Sequence, residues 1–243
     1  MSIRCYVPDG QWTRETIELD PDTAHHLSRV LRVQPGDRVE LFNGRGEAAQ
    51  ASIVTAGKKA VTVRVGRRWK SAPPQPEITL AAALIRSRPM EWMLTKAVEL
   101  GVTAFQPVLT TRCVARPRER PERWMKTVVA ACEQCGVNWM PTIHPVKSWA
   151  EFLAEPGAFD HLLLGSLQEQ ARPLKTVLGE RGAQGRITVL IGPEGDFTPE
   201  ESESAIAAGA IPVSLGDLTL RAETASLYML AALQYENLSL PVR

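Results

Sequence analysis

The spacing of apolar residues changes character once along the chain. Up to about residue 70, apolar positions come in short runs with tight turns between them. Thr16-Ile17-Glu18-Leu19 alternates as a half-buried strand does. Arg38 to Phe42, Ala51 to Thr55 and Ala60 to Val65 read as further strands, with turns at Pro35-Gly36-Asp37, Asn43-Gly44 and Gly57-Lys58-Lys59. Asp20-Pro21-Asp22 opens a short helix reaching about Arg32. Short strands with tight turns predict a small, compact β-barrel. Ser71-Ala72-Pro73-Pro74-Gln75-Pro76 then places three prolines in four residues, a stiff spacer, and sets domains at 1–72 and 77–243.

From Glu77 the period alternates between strand and helix. Strands are predicted at Ile78 to Ile85, Phe105 to Leu109 and His161 to Leu164, and helices at Met90 to Leu100, Glu122 to Cys135 and Ser148 to Ala154. This alternation argues for an α/β domain with a mostly parallel sheet covered on both faces. Residues 186–225 organise it. Ile187 to Ile191 is a buried strand that runs into Gly192-Pro193-Glu194-Gly195, where two glycines let backbone come close to a ligand. Thr198-Pro199-Glu200-Glu201 starts a helix with an N-cap, a proline at the first position and a capping-box glutamate; Gly209 stops it. Ile211 to Leu215 is the next strand, Gly216 to Arg221 the next loop, and Ala222 to Asn237 a helix so apolar that it should be buried on more than one side. Two loops thus leave two strands of one sheet at the same edge, the carboxyl ends where open α/β sheets bind ligands.

Composition adds little: 44% hydrophobic and 23% charged is ordinary for a globular chain. No run of about eighteen apolar residues predicts a membrane span. The N-terminal residues lack a signal-peptide pattern, and four cysteines in 243 residues do not make a disulfide scaffold, so a reduced, cytoplasmic protein is expected. Charge is uneven: residues 1–72 carry 12 Lys and Arg against 8 Asp and Glu, net +4, and the rest carry 16 against 19, net −3. That asymmetry suits an anionic partner for the first domain and equally a solvated barrel surface.

Two motifs mislead. Gly44-Arg45-Gly46-Glu47-Ala48-Ala49 fits the dinucleotide fingerprint, which would make the chain an oxidoreductase, but strand rather than helix follows, so a hairpin loop is expected. Cys132-Glu133-Gln134-Cys135 lacks the second ligand pair of a zinc site, and it ends a helix where a redox pair would begin one; packing is expected and no metal is assigned. His25 and His26 are expected at the surface. Arg112, Arg116, Arg118, Arg120 and Arg123 lie in a proline-punctuated basic stretch, which suits a solvated loop or, with arginine outnumbering lysine, a surface that reads phosphate.

The stretch Ile-Gly-Pro-Glu-Gly at 191–195, followed by Leu-Gly-x-x-x-Leu-Arg-x-Glu-Thr-Ala at 215–225, resembles the SPOUT methyltransferase superfamily, and within it the RsmE family. The same likeness runs through His26 to Arg32 with Gly36-Asp37, through Lys96 to Val102, and through Glu133-Gln134-Cys135-Gly136, so it covers nearly the whole chain. Two positions depart from the family pattern: Asp196 stands where a second glycine is usual, and Val137 where an arginine is common. The resemblance implies a PUA-like RNA-binding barrel followed by a SPOUT domain with a trefoil knot. It implies a homodimer that methylates N3 of a uridine in 16S ribosomal RNA of the small subunit, with S-adenosyl-L-methionine as cofactor. An RNA-binding SPOUT-fold protein without catalysis is the alternative.

The site follows from both readings. Leu164, Gly165, Ile191, Gly192, Pro193, Glu194, Gly195, Leu215, Gly216, Leu218, Leu220, Arg221 and Thr224 are expected to hold the cofactor. A methyl donor needs an apolar slot for its adenine and polar partners for its methionine end, and these loops offer both. Arg221 is expected to stabilise the anion left when uracil N3 loses its proton, and Glu223 to orient Arg221 or take that proton; a water could also do so. The two residues equally suit a local ion pair at the helix start. Arg4, Arg29, Arg32, Arg112, Arg116 and Gln134 are expected to contact RNA.

Overall fold

The structure is a computed structural model that describes residues 3–57, 60–114, 121–154 and 160–238. The chain divides into two units: Met1–Pro73 with Cys132–Met140, and Pro74–Ala131 with Pro141–Arg243.

The first unit is a five-stranded sheet in the order β1-β3-β4-β5-β2, made of β1 (Ile3–Tyr6), β2 (Thr16–Glu18), β3 (Arg38–Phe42), β4 (Glu47–Ala56) and β5 (Val61–Lys70). Two helices, α1 (Asp9–Trp12) and α2 (Pro21–His25), accompany it. The expected helix start holds: the Asp20 side chain accepts from the N–H groups of Asp22 and Thr23, with Pro21 at the first position. The helix does not run on to Arg32 as a plain α-helix. It widens into a π-helical turn over His26–Leu31, and Arg32 ends it with φ 54°. Alternate side chains of the strands, among them Ile17, Val39, Leu41, Ile53, Val61 and Val63, meet Leu27 and Trp12 in one apolar core.

In the second unit eight strands run parallel in all their pairings. They are β6 (Glu77–Ala83), β7 (Ala104–Leu109), β8 (Thr142–Ile143), β9 (Lys147–Ser148), β10 (His161–Gly165), β11 (Arg172–Pro173), β12 (Arg186–Ile191) and β13 (Ile211–Ser214). The order is β11-β13-β10-β12-β6-β7-β8, with β9 also on β7. The helices are α3 (Ser87–Glu99), α4 (Pro121–Cys135, whose last turn from Cys132 belongs to the first unit), α5 (Trp149–Leu153), α6 (Leu174–Arg181), α7 (Pro199–Ala207) and α8 (Ala222–Asn237). Both faces of the sheet are covered, and successive residues of a central strand serve opposite faces. Ile187, Val189 and Ile191 of β12 join Met90, Met93, Leu94, Met229, Leu230 and Leu233 on the α3–α8 side, whereas Leu190 joins Phe152, Phe197 and Ala205 on the α5–α7 side. Among the described residues no helix is long and apolar enough to cross a membrane.

Candidate functional site

Three neighbouring strands, β13, β10 and β12, end at one edge of the parallel sheet. Leu164 of β10 pairs with Leu190 of β12 and with Pro212 of β13, so the three strand ends lie side by side. The segments leaving them, Gly165–Leu167, Ile191–Asp196 and Leu215–Arg221, together with Ala222 and Ala225 of α8, line a cleft of about 220 Å³. This is the edge where parallel sheets present their ligand sites.

Local sequence sets each wall. At Gly165 a Cβ would lie 2.7 Å from Cδ1 of Ile191, so a larger residue there would have to push that side-chain tip aside. β12 terminates at Gly192-Pro193, and Asp196 donates its N–H to the Pro193 carbonyl, closing a turn. Asp196 sits at φ 58°, a left-handed conformation that a residue with a Cβ seldom takes. Behind that turn α7 begins with a complete capping box: the N–H of Glu201 bonds the Thr198 hydroxyl, and the N–H of Thr198 bonds the Glu201 carboxylate. Glu201 is buried at 6% exposure, and its other oxygen accepts the N–H of Thr111. The third wall turns at Gly216, φ 114°, with its Cβ direction open. Leu218 stands at the mouth, 77% exposed, which costs solvation unless something apolar covers it.

Ten expected cofactor residues line this cleft: Gly165, Ile191, Gly192, Pro193, Glu194, Leu215, Gly216, Leu218, Leu220 and Arg221. Three do not. Leu164 is 1% exposed and packs on the α5–α7 face with Leu190, because alternation turns its side chain away from Gly165's surroundings. Gly195 is not in the lining; a Cβ there would touch Cδ and Cβ of Arg112 at 3.4 and 3.5 Å. Thr224 is exposed on α8 outside the lining, and Glu223 is likewise absent from it. Ser166, Leu167, Asp196, Thr219, Ala222 and Ala225 complete the wall and were not singled out from sequence. Ala222 and Ala225 carry a readable signal: small residues three apart share one face of the first helical turn, beside a ligand loop.

Arg221 is the N-cap residue of α8, exposed at the cleft, and its side chain caps nothing. Among the described residues it makes no ion pair with Glu223, so the local pair suggested by their spacing is not formed.

The expected RNA contacts scatter. Arg29 and Arg32 are exposed at the end of the π-helical turn, and Gln134 is exposed on the last turn of α4. Arg4 is otherwise occupied. It pairs with Glu40, donates to the Val137 carbonyl and, at 2.7 Å, to Asn138 Oδ1, and lies over the Phe42 ring with only 10% of its side chain exposed. Arg112 donates to two backbone carbonyls of the cleft loop. Arg116 lies outside the described residues. The two misleading motifs are structural. Asn43 Oδ1 accepts the N–H groups of Arg45 and Glu47, β4 begins at Glu47, and the Trp139 ring fills the space at Gly46, where a Cβ would come within 2.4 Å. Burial pushes the Cys132 thiol up to about 12, the opposite of a reactive thiolate. No group of three or more His, Cys, Asp or Glu among the described residues is arranged to hold a metal.

This architecture matches known proteins. The family model for an RNA methyltransferase domain matches residues 72–234, and that for an RNA methyltransferase PUA domain matches 19–66. The chain is therefore built of a PUA domain followed by an RNA methyltransferase domain. Ribosomal RNA small subunit methyltransferase E from Synechocystis sp. is 33% identical over 235 residues, 95% of this chain and 77% of that protein. The Mycobacterium tuberculosis protein of the same name is 30% identical over 222 residues, 88% and 84% of the two chains. Among solved structures, ribosomal RNA small subunit methyltransferase E from Neisseria gonorrhoeae bound to S-adenosyl methionine superposes with a TM-score of 0.86 at 34% identity, covering 97% of this chain and 98% of that one. A Legionella pneumophila protein in complex with the same cofactor gives 0.87 at 31% identity with the same coverage. The chain belongs to the ribosomal RNA small subunit methyltransferase E family.

Proposed function

We propose that this chain transfers a methyl group from S-adenosylmethionine to N3 of a uridine in 16S ribosomal RNA. The observation that carries the reading is the convergence of three strand-end loops on one cleft whose walls differ in character. Ile191, Leu215, Leu218 and Leu220 are apolar, whereas Ser166, Glu194, Asp196, Thr219 and Arg221 are polar. The cofactor has an apolar adenine, a ribose rich in hydroxyls and a cationic sulfonium, and this donor set fits all three. Apolar walls suit the ring, and the Glu194 and Asp196 carboxylates suit hydroxyls and positive charge.

When bound, S-adenosylmethionine supplies an electrophilic methyl group. The chain's own residues have to bring the uracil and manage its proton. Uracil N3 is protonated at neutral pH, so methylation requires proton loss and leaves negative charge on the ring. Arg221, a planar cation with no ion-pair partner among the described residues, stabilises that charge at the cleft. A water, or Glu223 after a side-chain movement, accepts the proton. The leucine walls exclude bulk water from the reacting atoms. In this reading the first unit binds RNA, the chain acts in the cytoplasm, the loops of the second unit form a trefoil knot, and two copies pair as a homodimer. The apolar surface left on Trp92 of α3 and on Tyr228 and Tyr235 of α8, which are 50%, 51% and 73% exposed, supports the pairing.

The test is methyl transfer to 16S ribosomal RNA, with the modified base mapped by mass spectrometry, beside calorimetry with S-adenosylmethionine. The expected result is saturable cofactor binding and one methylated uridine carrying the group on N3. Cofactor binding without transfer to free RNA or to small subunits would favour the RNA-binding alternative. Transfer to another base or atom would overturn the uridine assignment.

A further inference from the structure

We propose that Arg112 is a positioning residue for the cofactor loop rather than an RNA contact: it holds the loop in the conformation that turns Asp196 into the cleft. The inference rests on the cofactor reading of the cleft and adds to it how the loop is held.

Arg112 Nη1 donates to the carbonyl of Gly195 at 2.8 Å and to the carbonyl of Phe197 at 3.1 Å. One carbonyl belongs to the peptide that enters Asp196 and the other to the peptide that leaves Phe197, so the pair brackets Asp196, the one residue of the loop with a left-handed backbone, φ 58°. A residue with a Cβ has its energy minimum elsewhere, and relaxation toward negative φ would rotate the peptides on either side of it. A single nitrogen bonded to both carbonyls fixes their separation and so opposes that rotation. The Asp196 carboxylate assists from within by accepting the N–H of Phe197 at 2.8 Å. The stem of Arg112 lies along the face of Gly195 that lacks a side chain.

A clamp works only if its own base is fixed, and here it is. Thr111, the preceding residue, gives its N–H at 2.8 Å to buried Glu201, whose other oxygen holds the start of α7 through the N–H of Thr198. The end of β7 is thus tied to the loop's exit at one point and, through Arg112, to the loop itself at two. Where the family commonly has glycine, which takes a left-handed conformation freely, this chain has aspartate. The clamp therefore matters more here than it would with glycine at that position.

Two measurements test the proposal. Calorimetry with S-adenosylmethionine is run on a double-mutant cycle of Arg112→Ala and Asp196→Gly, which cancels whatever Asp196 itself gives the ligand. Arg112→Ala is expected to weaken binding about tenfold with Asp196 present, and less than about twofold in the Asp196→Gly chain, since glycine needs no clamp. Arg112→Lys, which can still donate to both carbonyls from one nitrogen, is expected to retain most of the affinity and serves if the alanine variant folds poorly. Amide hydrogen exchange without ligand is the second measurement: Asp196 and Phe197 should exchange faster in Arg112→Ala at an unchanged melting temperature. Equal losses in both backgrounds, unchanged affinity, or unchanged exchange overturn the clamp. Loss of RNA affinity alone would return Arg112 to the RNA surface. Faster exchange in a chain whose parent binds no S-adenosylmethionine would sink the cofactor reading and leave the clamp standing.

Discussion

Arg221 occupies a position that stability alone would not choose. It stands at the N-cap of α8, where the helix dipole favours an acceptor or a negative group, and its side chain caps nothing. A cation there costs a little, and the proposed role toward uracil would give it a reason. Arg221→Ala should therefore lower single-turnover methyl transfer about a hundredfold, the scale for losing one preorganised charge donor, with cofactor affinity nearly unchanged and the melting temperature no lower. Arg221→Lys should recover little, because the planar fork is lost. Raising pH should partly rescue the alanine variant, because more uracil is already ionised. Equal losses of rate and affinity would make Arg221 a cofactor ligand instead. Arg221 lines the cleft where its local motif puts it. Leu164 and Gly195 fall outside the lining for the opposite reason. Which face a strand's last residue takes, and which neighbour fills a glycine's empty side, depend on tertiary partners that neighbouring letters do not encode. Arg112 illustrates it best: as one of a run of arginines it suggested phosphate, and one of its nitrogens donates to carbonyls 83 and 85 positions away.

At the scale of elements, strands and helices with their own signals were legible. β3, β12 and α8 fall where the pattern puts them, and the Thr198 capping box forms as spelled. β1, β8, β9, β11 and α6 were not read. Four are strands of only two to four residues, and α6 is a short helix with little apolar periodicity. β1 shows how such an edge is held. It pairs with β3 on one side only, and the N–H of Tyr6 goes at 3.1 Å to Glu133 Oε1 on the last turn of α4. Burial raises the pKa of Glu133, opposed by that hydrogen bond and more weakly by His26 and Arg4. A carboxyl whose folded pKa is raised contributes most when protonated, and its contribution falls as pH climbs from its unfolded toward its folded value. Glu133→Gln keeps an acceptor for Tyr6 without a buried charge. It should melt higher than the parent at neutral pH, with the difference fading as pH falls below the ordinary carboxylate range. Thermal melts at several pH values check this; a variant that melts lower at neutral pH would mean the ionised carboxylate is the stabilising form.

At the scale of the whole molecule, the proline spacer marks where one pattern of apolar residues gives way to another. What no local signal marks is that the first unit also takes Cys132–Met140 from much later in the chain. That segment carries the acceptors of Arg4 and the tryptophan that fills Gly46, which changes how the basic surface is to be read. Of the arginines in residues 3–57 and 60–73, Arg4 is paired with Glu40 and Arg45 with Asp9, and Arg68 donates to the Trp12 and Arg14 carbonyls. Arg29 and Arg32 stay exposed beside the π-helical turn. If they touch phosphates, replacing both with alanine should weaken RNA binding and flatten its salt dependence. The slope of log affinity against log salt should fall by about 1.4 to 1.8, since each lost phosphate contact releases somewhat less than one counterion fewer. Arg4→Ala should behave differently, lowering the melting temperature by stranding Glu40 while leaving that slope alone. Filter binding of a 16S ribosomal RNA fragment over a range of salt separates the two cases. A slope unchanged in the Arg29/Arg32 variant would move the RNA surface elsewhere on the first unit, where exposed Arg38 and Arg64 face each other across Ser52 on neighbouring strands.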